Sequence, residues 1–280
     1  MLPEVRVLPE VEAVVEHYVS MAEALYFPDG HRFVPTVATT GPWDRKAQHG
    51  GSSAALLARA VEKVEAPVPM QVTRLTYDLL RPVPLTPLEI CTNVLRTGER
   101  TSIVDASLLA GDVEVMRVSA MRMRVGDLDL PKGVTPDDPP PGEPGTGELA
   151  ISFGEGGGYN DQGCEIRFVE GGFQHPGPGT AWVRLRLPVV AGEEPSPVVR
   201  AAAAADFGNG LSSVLRMRDW LYINPDLTVH LARPPAGEWL ALRSVTYPSS
   251  AGAGLAESAL YDASGRFGRS VQSLLIDRQR

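Results

Sequence analysis

Cysteine is nearly absent from this chain of 280 residues: only Cys91 and Cys164 occur, each alone in its segment. A disulfide framework and CxxC metal or redox chemistry both lack their raw material, and the usage fits a reducing compartment. Histidine is sparse as well; the five residues at 17, 31, 49, 175 and 230 show no His-x-x-x-His spacing. With no Gly-x-Ser-x-Gly elbow either, zinc-enzyme and serine-hydrolase chemistry have no motif to stand on. There is no basic excess, since 26 Lys and Arg face 34 Asp and Glu for a net charge of −8. A general nucleic-acid binder carries the opposite field, so no nucleic-acid partner is expected. Runs of ~20 apolar residues are missing, which argues against insertion in a membrane. The N-terminus carries Glu4, Glu10 and Glu12 without an unbroken apolar stretch, so no signal peptide is expected and the cytoplasm is the expected location.

What the chain does have is core-forming material, 43% hydrophobic against 21% charged residues, and a length that suits two halves. Proline and glycine are densest from Leu128 to Gly158, through Pro139-Pro140-Pro141 and Gly154-Glu155-Gly156-Gly157-Gly158. The expected division is therefore an extension over 1–31, a first half over 32–127, a linker over 128–160 and a second half over 161–280. The glycine cluster lacks the spacing of a dinucleotide or phosphate loop and reads as flexible connection.

The two halves repeat each other. Leu75-Thr76-Tyr77-Asp78-Leu79-Leu80-Arg81-Pro82 returns 152 positions later as Leu227-Thr228-Val229-His230-Leu231-Ala232-Arg233-Pro234. An alanine-rich, helix-like stretch precedes each copy (52–63 and 197–207), and segments of period-two alternation follow each (88–97, 102–110 and 113–125; 239–247, 255–262 and 266–276). Further strands are expected at 32–39, 165–170 and 182–187. Gly111-Asp112 and Ser264-Gly265 stand where hairpin turns need residues tolerant of positive φ. Helices apolar on nearly every face are buried helices, so the layout predicts an α+β fold in which each half wraps an antiparallel sheet around one central helix.

Several motifs occur in the order found in one family: Gly41-Pro42-Trp43-Asp44, Gln48-His49-Gly50-Gly51 opening the first helix, Ala204-Ala205-Asp206-Phe207, Asn224-Pro225-Asp226-Leu227-Thr228, and Gly268-Arg269-Ser270-Val271-Gln272. Together with the repeat they resemble the double-hotdog acyl-CoA thioesterases. The resemblance implies a tandem hotdog with its two sheets joined into one long sheet, an acyl-CoA substrate, no cofactor or metal, and a water held by an Asp, a Ser/Thr and a Gln. Asp206 and Gln272 match the first and last of these. The hydroxyl position holds Asn224, so the hydroxyl is expected from Thr228, with the Asn224 amide oxygen as the alternative.

A carboxylate closing five alanines opposes the helix dipole and is costly to bury unless partnered, which by itself marks Asp206. His49, Gly50 and Gly51 stand at a helix N-terminus, where unobstructed N–H groups and the dipole favour an oxyanion or thioester carbonyl. Aligning Gly111 with Gly265 sets Val118 opposite Gln272, so only one of the two repeated sites is expected to be complete. An enoyl-CoA hydratase of the same fold and a non-catalytic acyl-CoA-binding protein are the alternatives to hydrolysis. Tyr247, Leu255 and Phe267, read as outward-facing, predict a homodimer.

Overall fold

The computed structural model describes residues 23–146, 148–149 and 158–279. Most of the expected extension, and Gly154 to Gly157 of the glycine cluster, lie outside the described residues. Strands β1 (Tyr26–Asp29) and β2 (Arg32–Pro35) form an opening hairpin, and helix α1 spans Gly50–Lys63. The first meander follows: β3 (Met70–Leu79), β4 (Leu88–Arg96), β5 (Thr101–Ala110) and β6 (Val113–Arg124). After β7 (Glu148–Leu149) and a π-helical turn at Tyr159–Gly163 come β8 (Cys164–Gly172) and β9 (His175–Leu185). Helices α2 (Pro197–Ala205) and α3 (Gly208–Leu211) lead to β10 (Trp220–Ile223) and β11 (Asp226–Leu231). A last meander of β12 (Leu240–Pro248), β13 (Ala253–Asp262) and β14 (Gly265–Arg278) closes the chain.

The fourteen strands among the described residues belong to one sheet, ordered β1-β2-β4-β5-β6-β3-β11-β14-β13-β12-β9-β8-β7, with β10 pairing on β14 off that path. The two meanders meet where β3 pairs antiparallel with β11, and there Thr76 stands opposite Thr228. These are the same position of the repeat, so an approximate two-fold axis passes between them. The register extends this correspondence through both meanders. Val104 pairs with Ala120 as Ala256 pairs with Gln272, and Ala110 with Val113 as Asp262 with Gly265. The offset stays at 152 throughout, so Ala120, not Val118, is the counterpart of Gln272. Aligning the two turn glycines mistook Gly111, inside its turn with φ 58°, for the equivalent of Gly265, which opens β14 with φ 111°.

Alternation along the strands delivers the core. On β11, Leu227, Val229 and Leu231 are buried, and on β5 Val104, Ala106 and Leu108 are, each set facing the helices as period-two geometry requires. α1 buries Ala54, Ala55, Leu56, Leu57, Ala58 and Val61, and α2 buries Ala201 to Ala205. Small residues let the two helices lie against each other inside the curved sheet. Phe267 departs from the outward expectation. It is 1% exposed, because the pairing of β13 with β14 slips between Leu260 and Tyr261 and reverses the alternation at this point.

Candidate active site

The site forms where the start of α1 meets the end of α2. α1 is capped by His49, whose Nδ1 accepts the Gly51 N–H at 3.0 Å. Gly51 is thus committed to the cap, whereas Gly50, the first helical residue, has an N–H with no acceptor one turn back. Asp206 is the C-cap of α2, at the kink between α2 and α3, and is 6% exposed. Its carboxylate is surrounded by donors. Asn224 Nδ2 donates to Oδ1 at 2.8 Å and Gln272 Nε2 donates to the same oxygen at 3.1 Å. Oδ2 lies 3.1 Å from His49 Nδ1. Nδ1 cannot serve both neighbours at once: unprotonated it accepts from Gly51, and protonated it donates to Asp206. A methyl group on Gly50 would sit 2.7 Å from Oδ2, so only glycine lets the helix start approach this carboxylate.

Gln272 is held in a single orientation. Its Oε1 accepts the Asn209 N–H at 3.0 Å, which leaves Nε2 as the donor aimed at Asp206. Asn209 Nδ2 in turn reaches the Tyr222 carbonyl at 3.3 Å. Under this layer Ser244 and Ser258 share a 2.7 Å hydrogen bond, and Ser212 and Thr246 one of 2.8 Å. The sequence reading missed these residues. A comparison at the 152 offset exposes them: Gln272, Ser258, Ser270 and Thr246 stand where the first half has Ala120, Ala106, Val118 and Val94. Buried polarity at these four positions, present in the second half and absent from their counterparts in the first, is costly and marks the working site.

The expected hydroxyl is not at the carboxylate. Thr228 lies on β11 with the parity opposite to Leu227 and Val229, and so faces away from the helices, paired with Thr76 and Val271. Asn224 precedes the strand, its Nδ2 also meets the Asp226 carbonyl at 3.1 Å, and Asp226 Oδ1 accepts the Ser273 N–H at 2.6 Å. This turn aims Asn224 inward while the strand that follows carries Thr228 outward. The structure thus brings together Asp206, Gln272, Asn224, His49 and Gly50, and leaves Thr228 outside.

Aromatic rings enclose the carboxylate. His49 lies 4.8 Å from both Tyr159 and Phe207, and those two stack at 5.5 Å. Burial holds the Tyr159 hydroxyl protonated, its pKa well above the ordinary value, and it donates to the Ala203 carbonyl. A cavity of about 760 Å³ opens over the site, with Trp43, Phe173, Met217 and Tyr222 in its wall. The corner related by the pseudo-two-fold, where α2 starts against the end of α1, is filled differently. Ser196 caps α2 and donates to Glu62, while Arg59 and Lys63 grip Glu193. Among the described residues no cluster of His, Cys, Asp or Glu is arranged to hold a metal ion.

A family model described as the acyl-CoA thioesterase C-terminal domain matches residues 131–276, and its N-terminal companion matches residues 39–123. No curated protein matches the sequence. Among solved structures, a conserved hot-dog-fold protein from Alicyclobacillus acidocaldarius superposes with a TM-score of 0.70 at 17% identity, over 94% of this chain and all (100%) of that one. The tesB protein of Mycobacterium avium subs paratuberculosis gives 0.62 at 17%, over 97% and 100%. An acyl-CoA thioesterase II from Mycobacterium marinum gives 0.60 at 15%, over 87% and 96%. With one sheet, two central helices and two thioesterase domain models in tandem, the chain belongs to the acyl-CoA thioesterase family and is a double-hotdog thioester hydrolase.

Proposed function

We propose that the protein hydrolyses an acyl-CoA thioester with a water activated by Asp206, without metal or covalent intermediate. The observation that carries this reading is the buried carboxylate with two amide donors on one oxygen and its other oxygen turned to the helix start. Asn224 and Gln272 fix Oδ1 and leave the carboxylate positioned as a base. Water adds to the thioester carbon as its proton passes to Asp206. The carbonyl oxygen becomes an oxyanion at the N-terminus of α1, where the Gly50 N–H and the helix dipole oppose its charge. Collapse breaks the carbon–sulfur bond, and the proton held by Asp206 accompanies the leaving thiolate. Gln272 and Asn224 act through their amide donors on Oδ1, behind the carboxylate, while Asp206 and His49 line the cavity from which the water attacks. The cytoplasm is the proposed place of action; no helix among the described residues is long and apolar enough to cross a membrane.

The contact of His49 with Asp206 favours one second reading, hydration of an enoyl-CoA, because a His–Asp pair is what that reaction needs. Two assays separate them. Release of free thiol from a saturated acyl-CoA, followed with a thiol reagent, is expected; loss of enoyl-thioester absorbance without thiol release would replace hydrolysis by hydration.

A further inference from the structure

The loop from Ser212 to Asp219 joins α3 to β10 and forms one side of the cavity mouth. It is held at several points. Ser212 Oγ donates to the Gly208 carbonyl at 2.9 Å, and Ser213 Oγ donates to the Leu215 carbonyl at 2.7 Å. The Arg216 carbonyl accepts the N–H groups of Asp219 and Trp220, both at 3.0 Å, and the Gln279 N–H reaches the Asp219 carbonyl at 3.1 Å. Side chains alternate along it. Leu215 and Met217 pack on Tyr222 and Ile276 beside Trp43, anchoring the loop by apolar burial. Arg216 and Arg218 between and beyond them are exposed, yet both line the same cavity as Asp206 and His49.

Depth separates the groups along this cavity, for Asp206 is 6% exposed at its floor while the two guanidiniums stand at its rim. Arg218 has only the neighbouring Asp219 at 3.5 Å, with its side chain 74% exposed, and Arg216 makes no ion pair among the described residues. Both are available to an incoming anion. In a chain of net charge −8 an anionic substrate meets a repulsive field overall, so a local pair of cations at the entrance decides whether it docks. The site cleaves a bond at the buried end, and a CoA thioester places its phosphates at the opposite end of a long pantetheine arm. Guanidinium forks suit phosphate oxygens better than any other cation in the protein.

We infer that Arg216 and Arg218 bind the phosphates of the CoA moiety, making the nucleotide end of the substrate a determinant of specificity. This rests on the hydrolase reading for the identity of the thioester but concerns a separate part of the molecule. The test compares an acyl-CoA with the same acyl group on N-acetylcysteamine, which has no phosphate, in wild type and in R216Q/R218Q. Adenosine 3′,5′-bisphosphate binding is measured by calorimetry alongside.

The variant should raise KM for the acyl-CoA by roughly 10- to 100-fold, the scale of losing charge-assisted hydrogen bonds, with kcat little altered. The truncated thioester, having nothing for these side chains to hold, is the internal control and should be hydrolysed alike by both proteins. Bisphosphate binding should be lost in R216Q/R218Q and partly regained in R216K/R218K. Equal effects on both thioesters, no effect on either, or an effect only when the acyl group rides on a carrier protein would overturn the inference while leaving hydrolysis intact. Arginine-dependent bisphosphate binding in a protein that cleaves neither thioester would uphold it and remove the hydrolase reading instead.

Discussion

Asp206 is the residue on which the chemistry turns, and its geometry makes the consequences of change specific. Asp206→Asn keeps the size and removes the base, so kcat should fall roughly 10²- to 10⁴-fold with the fold retained, as read by steady-state thiol release and circular dichroism. Gly50→Ala places a methyl against Oδ2 and against Leu79, so a comparable loss is expected without touching a titratable group. Gln272→Ala should lose turnover through the orientation of that carboxylate. Val118→Ala, at a buried core position of the other half, should leave kcat unchanged and lower stability by about 1–3 kcal/mol in chemical denaturation. Equal losses of activity in these two variants would end the one-site account. Asp206 stands out in the sequence because a carboxylate after five alanines breaks a local pattern, whereas Gln272 comes from the family resemblance, since an amide on an alternating strand by itself reads as an outward-facing polar residue. Asn224 enters only as the alternative to Thr228, because whether it points inward depends on a turn at Pro225 that interrupts the strand and cancels its parity.

At the scale of elements, both long helices, β11 and the seven strands of the two meanders were readable from period and turn residues. The short pieces were not. β10 has four residues, and the π-helical turn at Tyr159–Gly163 owes its place to tertiary contacts, Tyr159 being buried against His49 and Phe207. No local signal marks such segments, since their stability comes from what they pack on. The helix ends also carry charge. Arg59 and Lys63 of α1 hold Glu193, and the Arg59 hydrogen bond, first among the causes, brings its carboxyl down to about 2. A depressed acid favours the folded state above its unfolded pKa, and that contribution fades as pH falls through the folded value. The difference in melting temperature between wild type and Glu193→Gln should therefore be full near neutrality and shrink from about pH 4.5 towards pH 2. A difference that holds constant across that range would show that the charge on Glu193 is not what stabilises α1.

For the molecule as a whole, the outer sheet face near the end of β14 keeps Tyr247, Leu255 and Leu275 exposed at 52%, 39% and 50%. Tyr247 pairs with Leu255, and Ala253 with Leu275, so the three share one patch on one face. We propose that this patch seats a second copy. Light scattering at micromolar protein should give about twice the chain mass of 30.0 kDa, and Tyr247→Lys with Leu255→Lys should return it to one; a wild-type mass of one chain would discard the dimer.

The meeting of Thr76 with Thr228 has a further meaning. An edge that pairs with its own repeat, in antiparallel register about a two-fold, is isologous: the seam inside this chain has the form of an interface between identical subunits. A fragment ending before the proline-rich stretch, such as 23–127, carries one complete half of that seam, with its apolar helix left uncovered. Expressed alone, it should find another copy of itself, β3 against β3 and Thr76 against Thr76, and migrate as a pair. Such a pair would be a catalytically silent twin, since neither copy brings the aspartate, the glutamine or the buried serines that only the second half acquired.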